Sequence, residues 1–179
     1  MPKPTHRIIE EKLNSGAKKQ EIFDELRGTT SAGSLARSLV LTPYPSDREA
    51  HHGLNNALFL LILYFALVKA IMAADALIEN PIFYAIPFAA FIPVCSVLLA
   101  TEVRKYSGYI YRVVYVVGAL VFIEGIHYQL GVHDSWLKWL VSDAPVLAGI
   151  VIAWRLERLL CPGLGIIGAK KGRAGEYIF

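Results

Sequence analysis

Beyond residue 53 the chain is written as apolar blocks long enough to cross a lipid bilayer, which limits its fold more than any other feature. The first block runs from Leu54 to Ile78 and includes the uncharged stretch Ala57 to Val68. At 1.5 Å per residue its 25 positions reach about 37 Å, more than a hydrocarbon core of about 30 Å. A second block, Pro81 to Thr101, follows Asn80, a good N-cap, and opens on proline, whose missing N–H costs nothing at a first helical position. The third runs from Gly108 to Leu130. The fourth ends near Leu160 and has two candidate starts. Either the helix begins at Trp136, or Ser142 or Asp143 caps a helix entered through Pro145, with Trp136 to Val141 lying in the interface. The shorter version, Ala144 to Leu160, still rises about 25 Å and is the preferred one.

The expected fold is therefore all-α: a polytopic membrane protein of four transmembrane helices (54–78, 81–101, 108–130 and 136/144–160), preceded by a helical segment over 1–53 and followed by a basic, glycine-rich tail over 161–179. Composition agrees, because 55% of the 179 residues are hydrophobic and only 18% charged, whereas a soluble domain carries about a quarter charged residues. Eight Lys or Arg precede the first helix, Arg104 and Lys105 sit in the second loop, and Arg155, Arg158, Lys170, Lys171 and Arg173 close the chain, with Lys138 alone near the third loop. The positive-inside rule then places both termini in the cytoplasm, with Tyr106, Tyr109 and Tyr111 in an inner aromatic belt and Trp136 and Trp139 in an outer one. No apolar run or cleavage site of a secretory signal begins the chain, so a bacterial cytoplasmic (inner) membrane is the expected location.

In the N-terminal segment Ile8, Ile9 and Leu13 share a helical face, as do Ile22, Phe23 and Leu26 beyond the break at Ser15-Gly16. A third short helix is expected from Ser34 to Leu41, before the turn-rich Pro43-Tyr44-Pro45-Ser46. The run from Ser15 to Leu26 has the look of a DNA-binding helix-turn-helix, but residues 1–53 hold eight basic and seven acidic side chains, a net of 8 − 7 = +1. Phosphate neutralisation needs a concentrated basic surface, so no nucleic-acid partner is expected. Gly163 to Gly168 spells GxGxxG, but after a membrane helix and with no strand before it; it reads as a flexible tail whose Lys170, Lys171 and Arg173 touch anionic headgroups. Glu176 to Phe179 are then placed to dock on the N-terminal helices.

An ionisable group in hydrocarbon costs at least about 2.5–3.5 kcal/mol and calls for a partner, water or a function. Lys69 and Asp75 on the first helix, Glu124 and His127 on the third and Asp143 at the fourth all fall in the outer half of the bundle, whereas Arg112 lies within snorkelling reach of the inner headgroups. Lys69 and Glu124 come out level, about 22 and 24 Å up their helices, and His127 shares a face with Glu124. These five residues form the candidate partner or ion site, with a Lys69–Glu124 ion pair at its centre. Pro87 and Pro93 free the carbonyls of Phe83 and Ala89 and mark kinks, while Gly118, Ala119 and Gly125 permit close helix approach.

No metal site or cofactor is expected, because one intramembrane histidine with scattered carboxylates lacks a second imidazole or thiolate at ligand spacing. Cys95 and Cys161 form no CxxC pair and read as reduced structural thiols, unlike the paired cysteines of a quinone-linked thiol oxidase of this size. With no nucleophile beside a base, no HExxH and no phosphate loop, the chain is expected not to be an enzyme. The expected function is binding of another membrane protein, or self-association, as an accessory subunit, a regulator or an immunity factor against a membrane-inserting toxin. The alternative is a small proton or cation transporter or channel subunit acting as an oligomer, using Lys69, Glu124 and His127.

Overall fold

The computed structural model describes residues 5–79, 85–130, 136–165, 168–172 and 175–179. Among them the chain forms eight α-helices and no named strand: α1 (Thr5–Asn14), α2 (Lys19–Leu26), α3 (Ala32–Leu41), α4 (Pro45–Ala50), α5 (His52–Glu79), α6 (Ala85–Arg104), α7 (Gly108–Leu130) and α8 (Trp136–Leu160). The protein is all-α, as its patterning requires. One helix among the described residues, α5 over His52–Ala74, is long and apolar enough to cross a membrane, and Gly108–Ile123 of α7 is a shorter apolar stretch.

The four long helices pack in a ring, α5 against α6, α6 against α7, α7 against α8 and α8 back against α5. Cross-helix bonds show that they alternate in direction. Asn55 at the start of α5 donates to the carbonyl of Val103 at the end of α6 (3.1 Å), and Tyr111 at the start of α7 donates to Asn55 (2.7 Å). Arg112, one residue further on, reaches Glu157 near the end of α8. All four helices therefore meet at one end of the bundle.

That end carries a cap built by α1–α4 and the C-terminal tail. Ile9, Leu13, Ile22, Phe23, Leu35, Ala36 and Leu39 form its core, each fully buried aliphatic contributing about 1.5–3 kcal/mol. These are the apolar faces that helical spacing marks out in the sequence. Glu21 accepts a hydrogen bond from the Lys18 backbone and closes the start of α2, and Pro45 opens α4, where only a turn is expected from the sequence.

Two expectations need correction. The tail does not run free of the cap: Lys170 N–H donates to the Gly163 carbonyl, Ile178 N–H to Lys170 and Gly172 N–H to Glu176, so its described residues fold back on one another. Tyr177 and Phe179 are thereby delivered onto Phe23, with ring centroids 5.4 and 5.5 Å away. A Cβ at Gly163 would stand 2.3 Å from the Ile178 carbonyl, so glycine is required for this closure rather than for looseness. The second correction concerns α8, which begins at Trp136 and runs through Pro145. Proline at this position cannot bond to Val141, and the freed carbonyl accepts instead the hydroxyl of Tyr64 from α5 (2.9 Å). A helix need not start at a proline when a neighbour supplies the missing donor. Tyr64→Phe is expected to lower stability by about 1 kcal/mol, read as a drop in thermal midpoint in mild detergent, while the same change at exposed Tyr109 leaves it within error.

Candidate functional site

Polar residues collect at the two ends of the bundle, with an apolar cavity between them. At the distal end, Lys69 is half-buried and turns back one helical turn so that its ammonium lies 5.5 Å over the Phe65 ring. Such a contact partly compensates a cation inside an apolar layer. Asp143 is buried on α8, two residues before Pro145. The side chains of Asp75, Glu124 and His127 lie outside the described residues, and with them the Lys69–Glu124 pair. Pro93 sits inside α6, where Ser96 donates its hydroxyl to the Ile92 carbonyl (2.9 Å); the side chain of Pro87 is outside the described set. Among the described residues no group of His, Cys, Asp and Glu is arranged to hold a metal.

Midway along the bundle lies a cavity of about 80 Å³ between the four long helices, lined by Phe65, Ser96, Val117, Gly118, Pro145 and Gly149 among others. Apart from Ser96 its walls are apolar. Gly118 brings α7 against α8, since a Cβ there would stand 2.9 Å from Ile150. That is the close approach a small residue permits between two helices.

The other polar end is the cap end, and sequence reasoning missed most of it. Asn55 is wholly buried, bonded at one end to Tyr111 and at the other to Val103. Beside it Asn56 donates to His52 Nε2 (2.8 Å), so that Nδ1 carries the proton and donates to the Tyr106 hydroxyl (2.8 Å). Tyr106 adopts φ +57°, a left-handed conformation that costs a non-glycine residue of order 1–3 kcal/mol. Its ring packs against the bundle core, and burial raises its pKa above the ordinary 10.0. Arg112 donates through Nε to Glu157 (3.1 Å) and through Nη1 to the Gly165 carbonyl (2.9 Å), tying α7 to α8 and to the tail. A signal for this pair does exist in the sequence: a basic and an acidic residue each lie about one turn inside the same end of two antiparallel helices.

Where the cap meets the bundle, Lys19 is only 3% exposed and holds its ammonium 4.9 Å over the Tyr44 ring. Burial lowers its pKa from 10.5, and burial pushes the neighbouring Cys161 thiol from 9.0 up to about 12. Because folded Lys19 binds its proton more weakly than the unfolded chain does, stability rises with pH from the lowered value towards 10.5. Folded Cys161 keeps its proton longer than unfolded, so its contribution falls above pH 9. Between pH 9 and 10.5 the two act in opposite senses, so a Cys161→Ala background reads the Lys19 effect alone. Lys19→Met is expected to raise the midpoint and flatten that rise, because it removes a buried charge at nearly constant volume. Thermal melts up to pH 10.5 in the Cys161→Ala background check this, and a lower midpoint with an unchanged slope would contradict it.

Comparison with protein-family models, with curated proteins and with solved structures returns no match for this chain.

Proposed function

We propose that the chain is a four-span protein of a bacterial cytoplasmic membrane, with both termini cytoplasmic, that acts by binding another membrane protein rather than by catalysis. Accessory subunit, regulator and immunity factor against a membrane-inserting toxin are the forms this takes. The observation that carries the reading is the exposure of large apolar side chains on every long helix. Leu60 of α5 is 62% exposed, Phe91 of α6 65%, Leu120 of α7 63% and Val151 of α8 58%, while the cap keeps a polar surface over a closed core. Helices apolar on all faces and exposed outward are stable in lipid, not in water.

The described part of the bundle interior supports binding over conduction. Its central cavity is apolar, and its one hydroxyl, Ser96, is committed to the Ile92 carbonyl. Proton relays and ion paths use ionisable or unpaired polar groups at such depths. Polar recognition by this protein then belongs to the distal charges, Lys69 and Asp143 among them, and to the cap. Lys170 and Lys171 are exposed on the tail, the first bonded to the Pro162 carbonyl (2.8 Å) and the second 5.3 Å over the Tyr177 ring, and their remaining N–H groups would meet anionic headgroups; Arg173 lies outside the described residues.

Purification of the full chain in mild detergent followed by mass spectrometry is expected to yield one stoichiometric membrane partner. A Ser15→Cys variant in spheroplasts is expected to resist a membrane-impermeant maleimide until the membrane is broken. Proton or cation flux in liposomes above empty controls, with no co-purifying partner, would instead establish the transporter. The toxin-immunity form is abandoned if deleting the gene leaves cells no more sensitive to competitors.

A further inference from the structure

We propose that the groove between the cap-end halves of α5 and α6 binds an anionic phospholipid of the cytoplasmic leaflet; this rests on the membrane placement proposed above. The groove encloses about 440 Å³ and is lined by Phe59 and Leu63 of α5 and by Val97, Thr101 and Arg104 of α6, with Lys105 just beyond. Val97, Thr101 and Arg104 fall at i, i+4 and i+7, so they share one face of α6, and Phe59 and Leu63 share one of α5. Polarity changes along this seam. Leu63 and Val97 make its deep part apolar, and Arg104 and Lys105, about 10 Å nearer the cap, make its mouth basic.

Arg104 holds the argument together. Its guanidinium lies 5.2 Å over the Phe59 ring, and among the described residues it makes no hydrogen bond or ion pair. With no hydrogen-bond partner among the described residues, its N–H groups are open to a phosphate, which a guanidinium grips by two parallel bonds. Lys105 is paired with Glu102, so the mouth carries two cations and one carboxylate, a net of 2 − 1 = +1. That charge matches a phosphodiester of net charge −1 and gives no second carboxylate to a choline headgroup. An acyl chain leaving the glycerol then runs along Leu63 and Val97.

The test uses the full-length protein reconstituted in nanodiscs of equal phosphatidylglycerol and phosphatidylcholine, released into mild detergent and weighed intact by mass spectrometry. Preferential retention of one phosphatidylglycerol is expected. Arg104→Gln should reduce that retention about fivefold, the factor a basic side chain contributes at an anionic surface. Val97→Trp, which fills the apolar part with Arg104 intact, should reduce it as well, whereas a site for free phosphate would be unaffected. Both positions are exposed, and Thr101→Trp serves if Val97→Trp does not fold. Equal retention of the two lipids, or phosphatidylglycerol retention unchanged in Arg104→Gln and the groove-filling variant, overturns the proposal. Release of the protein from membranes by alkaline carbonate would instead remove the membrane reading on which it stands.

Discussion

Gly108→Val is expected to separate the cap from the bundle and to lower stability by about 3 kcal/mol or more, the upper range for overpacking a closed core. At Gly108, the first residue of α7, any Cβ would stand 2.4 Å from the Cys161 sulfur, 2.8 Å from the Leu41 carbonyl oxygen and 3.2 Å from the Leu41 Cα. Two of those atoms are backbone at the end of α3, so no rotamer change makes room. Either α3 moves away from α7 or the chain after α8 shifts. Both open the seam in which Cys161 is buried. Two measurements follow: a thermal midpoint in detergent, and maleimide labelling of Cys161 under native conditions, expected to be slow in the parent protein because the thiol is buried and its pKa is pushed up to about 12. The control is Gly53→Ala in α5, where nothing lies within 4 Å of the added carbon. That change should leave labelling unaltered and the midpoint no lower than the parent's, since alanine is the better helix former. A Gly108→Val protein that melts and labels like the parent would mean that the seam is loose.

The second large effect is expected at Arg112. Removing it by Arg112→Ala leaves Glu157, 7% exposed, without its guanidinium partner and should cost about 3–5 kcal/mol. Arg112→Ala also releases the Gly165 carbonyl, so the tail should loosen from the bundle. The double substitution Arg112→Met with Glu157→Leu removes both charges at similar volume and should restore most of the loss, since a buried ion pair adds little net stability over a well-packed apolar pair. If the double variant is as unstable as Arg112→Ala, the tail contact rather than the stranded carboxylate accounts for the damage. Comparing the three midpoints separates these causes.

Much of the architecture was legible in the sequence because it rests on local patterning. Ile9, Leu13, Ile22, Phe23, Leu35 and Leu39 recur at helical spacing, and all of them are buried in the cap. The four apolar blocks coincide with α5–α8, although α6 is described only from Ala85 and, among the described residues, α5 alone is long and apolar enough to cross a membrane. The start of α8 was misjudged because a proline states what a backbone cannot do by itself. It says nothing of Tyr64, 77 residues earlier in the chain, which supplies the donor. The tail was misjudged for a related reason: glycine permits looseness and close contact alike, and only the position of Ile178 against Gly163 decides between them.

The candidate site divides in the same way. The distal charges are visible to anyone reading the apolar blocks, because an ionisable residue in such a run stands out on composition alone. Asn55, Tyr106 and Tyr111 do not stand out, being ordinary residues for an interface. Their importance arises from helix ends that meet in space: Tyr111 and Val103 both reach one side chain, Asn55, from different helices. The sequence by itself determined that the chain is helical, that its helices are apolar on every face and where its charges interrupt them, because these are one-dimensional properties of spacing and side-chain chemistry. Only the tertiary structure decided which polar groups pair, which glycines are contact points and that the tail completes the cap, because hydrogen bonds and van der Waals contacts act over a few ångströms between residues as distant in the chain as Phe23 and Tyr177.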